Sequence, residues 1–203
     1  MRRSFVLALT GALMILAAVP AGAGTKTVDM QNSAGAYGSS YSFNPSTVTV
    51  ALGSSVQWTN TGTTIHTSTQ NNGLWNTGDV APNTSATAVA VSWAGSFSYH
   101  CRYHGVYGMK GTVKTPLNVA PSSGSTATTF TITVATAAPP SGFVFDMQMR
   151  KGSGPWTTFK QAVTSRRVAF HASASGAYSF RSRVSKTSGG QSGWSPLRTI
   201  TVS

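Results

Sequence analysis

Acidic side chains are almost missing from this sequence. Asp29, Asp79 and Asp146 are the only three among 203 residues, and Glu does not occur. Two-carboxylate chemistry, as in glycoside hydrolysis or an acid–base pair, would have to use nearly all of them, although they lie far apart along the chain. Charge of either sign is scarce, at 9% of residues against roughly a quarter in an ordinary soluble domain. With Glu absent and Gly, Ser and Thr abundant, the composition points to strands and turns. Cysteine occurs once, at Cys101, so no internal disulfide is available. A free thiol in an exported chain calls for another use, and metal ligation is the obvious one.

What is present begins with Arg2 and Arg3, an apolar run from Phe5 to Val19, and Pro20-Ala21-Gly22-Ala23. This order predicts a signal peptide over residues 1–23, cleaved after Ala23, because the run is short for a membrane span and is followed by small residues. The product is expected to be exported to a periplasm, cell surface or medium and not to span a membrane. The opening Arg2-Arg3-Ser4-Phe5-Val6 also looks like a shortened twin-arginine signal, while an ordinary charged lead-in accounts for the same residues. Cys101 lies too far from the cleavage point to carry a lipid at a mature N-terminus.

The remainder divides by composition into residues 24–115 and 116–203. In the first part, short β-like runs at Ser46 to Ala51, Ser54 to Asn60, Ala86 to Ala94, Ser96 to Cys101 and Lys110 to Lys114 alternate with Gly, Asn and Pro clusters, which predicts a β-sandwich or barrel. Pro121-Ser122-Ser123-Gly124-Ser125 reads as the turn-rich entry to a second module. The first part carries four Lys and Arg against two Asp, net +2; the second carries nine against Asp146, net +8. Much of the chain's +12 therefore belongs to the second module, which predicts contact with an anionic cell-surface polymer or an acidic protein. Nothing marks a specific nucleic-acid site.

In the second module, Phe143, Phe145, Met147 and Met149 alternate with Val144, Asp146, Gln148 and Arg150. Tyr178, Phe180 and Val184 alternate with Ser179, Arg181 and Arg183 in the same way. Period two predicts half-buried strands with a basic outer face carrying Arg181 and Arg183. Gly176-Ala177-Tyr178-Ser179-Phe180-Arg181-Ser182-Arg183-Val184, followed by Gly193-Trp194-Ser195-Pro196, resembles the last strands of a fibronectin type III domain. No Trp occurs in Thr126 to Ala135, where that family usually has one, so a related immunoglobulin-like sandwich fits as well. His171, next to Phe170, is expected on the surface.

Chemistry concentrates in Tyr99-His100-Cys101-Arg102-Tyr103-His104-Gly105-Val106-Tyr107-Gly108-Met109. Cys-x2-His-x4-Met after a strand offers a thiolate, an imidazole and a thioether from one loop. That donor set suits a soft or borderline transition metal, and a His2Cys site with a weak axial Met is a copper arrangement. Strand parity supplies the second histidine: Phe97, Tyr99 and Cys101 share one face and His100 lies on the other, so His66 is favoured over His100.

Residues 25 to 115 resemble a cupredoxin of the plastocyanin and pseudoazurin kind. Phe43-Asn44-Pro45, Val48-Thr49-Val50, Gly53, Val56, Trp58 and His66 follow the family's order, and Cys101, His104 and Met109 have its loop spacing. The resemblance implies one mononuclear type 1 copper site, with His66 and His104 as imidazole ligands, Cys101 as thiolate and Met109 as axial thioether. Thr67 departs from plastocyanin's Asn at that place. The implied fold is all-β, a Greek-key cupredoxin sandwich followed by a fibronectin type III-like or immunoglobulin-like one. A site with no open position implies single-electron transfer, not enzyme catalysis, with a redox partner docking near His104. Copper holding, or surface binding through the basic module, is the alternative. Tyr99, Trp58, Trp93 and Phe97 are expected to be core, and Cys101 with His104 lacks an evident third group for a cysteine hydrolase.

Overall fold

Val56, Trp58 and Asn60 turn fully inward while Ser55, Gln57 and Thr59 stay part-exposed, the period-two pattern of a strand with one buried face. The same alternation places Phe97 and Tyr99 inward and Ser98 outward on the strand that ends at His100. The computed structural model describes residues 24–35 and 38–203. The signal-peptide reading of residues 1–23 lies outside the described residues.

Two sheets form between residues 25 and 115. One has the order β2 (Gly38–Asn44), β1 (Thr25–Gly35), β4 (Ser55–Asn60) and β6 (Val89–Ala90); the other runs β3 (Thr47–Thr49), β8 (Lys110–Thr115), β7 (Gly95–His100) and β5 (Thr69–Gln70). β1 with β4 and β3 with β8 are parallel pairs, and the remaining pairs are antiparallel. Aromatic contacts join the sheets: Tyr99 on β7 meets Trp58 on β4 at 5.4 Å and Phe43 on β2 at 4.7 Å between ring centroids. Each such fully buried aromatic side chain contributes about 1.5–3 kcal/mol through removal from water.

Two further sheets form from residue 118 onward. The smaller has β9 (Asn118–Ala120), β11 (Thr129–Thr133) and β14 (Arg167–His171), with β11 central; the larger runs β10 (Ser123–Gly124), β16 (Arg198–Val202), β15 (Gly176–Lys186), β12 (Phe143–Lys151) and β13 (Thr157–Val163). Phe170 on β14 packs on Phe180 and Tyr178 of β15 at 5.0 and 5.1 Å, so this pair also closes on an aromatic core. His171 is exposed, as parity required. The fold is all-β throughout, and among the described residues the only helical element is one 3₁₀ turn at Gly105–Tyr107. No helix among them is long and apolar enough to cross a membrane.

The two pairs of sheets touch along β7. Ser96 exchanges two backbone hydrogen bonds with Gly193, at 2.9 and 2.8 Å, and Ala94 N–H donates to Val134 O at 2.8 Å. Thr136 N–H donates to Ser92 O, and the Trp93 indole N–H reaches Ala138 O. The strand leading to Cys101 is therefore bonded to the second half of the chain as well as to its own sheet.

Candidate metal centre

Cys101 follows β7 and is fully buried, because it continues the inward parity of Phe97 and Tyr99. The chain then folds back on itself. Gly105 N–H donates to Cys101 O at 2.8 Å, the 3₁₀ turn follows, and Gly108 closes it at φ 89°, a left-handed conformation suited to glycine. Met109 N–H bonds His104 O and Cys101 N–H bonds Met109 O, both at 3.1 Å. One short loop thus brings Cys101, His104 and Met109 together, with the Met109 side chain fully buried.

His66 arrives from the other side, in the connection between β4 and β5. It exchanges backbone hydrogen bonds with Val80 and is fully buried. Its Nδ1 lies 3.1 Å from His104 Nδ1 and 3.8 Å from Cys101 Sγ, and Cys101 Sγ lies 3.5 Å from His104 Nδ1. These three form the cluster of potential metal ligands found among the described residues. A zinc-sized ion about 2.0–2.1 Å from nitrogen and about 2.3 Å from sulfur can bridge at most about 4.2 Å between two nitrogens and about 4.4 Å between nitrogen and sulfur. All three separations fall inside those limits, so the donor set fits a single ion. His100, by contrast, bonds Asn71 Oδ1 at 2.9 Å on the outer face of β7, away from the cluster.

Electrostatics favour ligation. Burial, aided by the neighbouring His104, lowers the His66 pKa to about 4, and burial lowers that of His104. Both rings are therefore held neutral, the form that binds metal. The Thr67 backbone N–H points to Cys101 Sγ at 3.4 Å, while Thr67 Oγ1 accepts from Arg102 N–H at 2.8 Å. Thr67 thus ties the His66 segment to the Cys101 loop.

The solved structures that the chain resembles include several cupredoxins, a multicopper oxidase and fibronectin domains of chicken CNTN1. Among the cupredoxins are the purple cupredoxin from Nitrosopumilus maritimus (19% identity, 44% of this chain and 97% of that one, TM-score 0.37), oxidised plastocyanin from Dryopteris crassirhizoma (21%, 44% and 99%, 0.36) and native pseudoazurin from Hyphomicrobium denitrificans (19%, 45% and 74%, 0.37). No protein-family profile matches the sequence, and neither does any curated protein.

Three residues absent from the sequence-derived site surround it. Tyr41 lies flat on the His104 ring, with centroids 3.9 Å apart and planes 10° from parallel. Asn32 Oδ1 approaches His66 Nε2 at 3.4 Å and accepts from Thr63 N–H at 2.8 Å. Asn60, fully buried, donates through Nδ2 to Thr64 O and Val80 O and accepts from Gly62 N–H, fixing the segment that carries His66. Each continues the inward face of its strand: Val28-Met30-Asn32, Tyr41-Phe43 and Val56-Trp58-Asn60. A polar residue on an inward face was the available signal.

Trp58, Phe97 and Tyr99 are fully buried, as expected of core, and Trp93 is partly so. Burial pushes the Tyr99 phenol up to about 12, and its hydroxyl has no hydrogen-bond partner to take a proton. The expected free basic face of the second half needs correction. Arg181 lies between Trp156 and Trp194, at 4.1 and 4.8 Å from the ring centroids; Arg183 covers Trp194 at 4.4 Å and Arg150 covers Trp156 at 4.7 Å. Arg181 also donates to Gln148 Oε1, and Arg183 pairs with Asp146 at 3.1 Å. Aromatic stacking absorbs these guanidinium faces instead of leaving them to solvent.

Proposed function

We propose that this chain is a copper protein that carries single electrons, with His66, Cys101 and His104 as principal ligands and Met109 as the axial one. The convergence of one thiol sulfur and two imidazole Nδ1 atoms, with mutual separations of 3.1 to 3.8 Å, carries the reading. Copper held by that set supplies a Cu(II)/Cu(I) couple.

The surrounding residues suit such a role. His66, Cys101 and Met109 are shut away from solvent, and His104 is the partly exposed member of the set. Beside it Val106 is 87% and Tyr107 70% exposed, an apolar surface on which a redox partner can dock without desolvating charge. Tyr41 holds the His104 ring from one face, and the Thr67 N–H hydrogen bond stabilises thiolate character on Cys101. No enzyme activity is proposed. Residues 24–115 are read as the copper-binding domain of an exported protein, and residues 116–203 as a fibronectin type III-like domain. Attraction to an anionic polymer would rest on exposed cations such as Lys151, Lys160, Arg166, Arg167 and Lys186, not on the stacked pair Arg181 and Arg183.

The visible spectrum of the purified chain after copper addition is the test. An intense thiolate-to-copper band is expected, and Cys101→Ser removes it. A Cys101→Ser protein with an unchanged spectrum overturns the proposal.

A further inference from the structure

On the outer face of β7 and β8, back to back with the buried cluster, lies a groove of about 550 Å³, within the roughly 300–1,000 Å³ range of small-molecule sites. Asn71, Ser98, His100, Gly105 and Lys110 line it. A second cavity of about 190 Å³ shares Asn71 and Ser98 and extends the groove to Gln191 and Ser192 of the second half. The glycine at 105 keeps it open, because a Cβ there would stand 3.2 Å from the His100 ring.

The chemistry of the groove is specific. His100 and Lys110 are cross-strand partners on the outward face. The ion pairs found among the described residues are Arg102–Asp79 and Arg183–Asp146, so no carboxylate neutralises Lys110. Asn71 Oδ1, which only accepts, lies 2.9 Å from His100 Nδ1, so Nδ1 donates in that contact and Nε2 is the ring nitrogen left for a ligand. The groove thus offers the unpaired Lys110 ammonium for an anion, beside the Asp79-paired Arg102 that also lines it, one ring nitrogen for a hydroxyl, and hydroxyl and amide groups along its length. It offers no exposed aromatic face for stacking a sugar ring, since Tyr99, which lines it, is 1% exposed.

We propose that this groove binds a small polyhydroxylated carboxylate, its carboxylate on Lys110 and a hydroxyl hydrogen-bonded to His100 Nε2. The charge fixes one end of the ligand, and Ser98, Asn71 and Gln191 satisfy its remaining hydroxyls. A carboxylate without hydroxyls leaves those groups unpaired, and a neutral polyol leaves the ammonium unpaired; each loss weakens binding. Its lining also reaches Cys101 and Val106, but the ligand contacts named here use neither.

The test uses the full chain freed of metal by chelation, so that gluconate cannot act by removing an ion. D-gluconate is titrated while backbone amide shifts are followed, with hexanoate and sorbitol as probes lacking the hydroxyls or the charge. Gluconate is expected to shift Asn71, Ser98 and Gly105 amides and to bind about tenfold or more tighter than either control. Lys110→Ala should weaken gluconate by a similar factor with an unchanged melting temperature, and Lys110→Glu should abolish binding. Absence of gluconate shifts, equal binding of sorbitol, or wild-type affinity in Lys110→Ala would each overturn the proposal. So would binding of polyglutamate without gluconate, which would make the face a docking surface for acidic protein.

Discussion

His66 and His104 face each other through Nδ1 at 3.1 Å, a separation that two protonated rings do not tolerate. Burial and the neighbouring ring hold the His66 pKa at about 4, below the ordinary histidine value of 6.5. A depressed histidine contributes stability that is fully present above pH 6.5, where folded and unfolded chains are both neutral, and that is lost as pH falls towards 4, where only the unfolded chain takes up the proton. Metal-free protein should therefore lose up to about 3 kcal/mol between pH 6.5 and 4 from this group. Urea unfolding at a series of pH values checks this, and a His66→Phe variant should lose less over the same interval. Bound metal competes with the proton for the same nitrogen and should flatten the profile.

At the scale of strands, Asp146 does the work of a fastener. It sits on β12 where the register with β13 shifts, and it accepts from Ser185 Oγ at 2.6 Å and from the N–H of Ala162, a non-glycine residue at φ 54°, at 3.1 Å, besides pairing with Arg183. Burial alone would raise its pKa, but Ser185, Ala162 and Arg183 outweigh this and hold it below the ordinary carboxylate value. Its stabilisation is present at neutral pH and is lost as pH falls below that value. Asp146→Asn leaves one acceptor oxygen, which can serve either the Ala162 N–H or the Ser185 and Arg183 donors but not both sets, so a loss of about 1–3 kcal/mol is expected in denaturant unfolding. Strand parity made much of this fold legible: Cys101 inward, His100 outward and His66 as partner all follow from period two. Ala86 to Ala94 forms only the short β6, and the long β1–β2 hairpin was missed because its polar, glycine-containing stretch lacks a strong apolar alternation. Tyr41 and Asn32 were missed with it: each is a polar residue on an inward face, but the strands that carry them had not been identified. The Trp–Arg stack was hidden because Trp156 and Trp194 reach Arg181 from separate connections, which no local pattern reveals.

For the whole molecule, the contact between halves sets the expectation for truncation. Residues 24–115 alone keep every proposed ligand, so they should still bind copper with the same thiolate band. They lose the bonds from Ala94, Ser96 and Ser92 to Val134, Gly193 and Thr136, and several hydrogen bonds at about 0.5–1.5 kcal/mol each predict a stability lower by a few kcal/mol. Thermal unfolding of the truncated and full chains checks both parts. Loss of the band on truncation would make the second half part of the site.

The Ser96–Gly193 pair offers a clock for that contact. Each residue's amide hydrogen is covered by the other's carbonyl, so neither proton can be replaced by deuterium until the halves part. The two amides should exchange at matching rates and report the same opening free energy, whereas amides deep within β7 and β15 should wait for larger unfolding. If Ser96 and Gly193 exchange together and ahead of those strands, the halves separate in solution while each remains folded, and the time between such openings is the lifetime of the joined form.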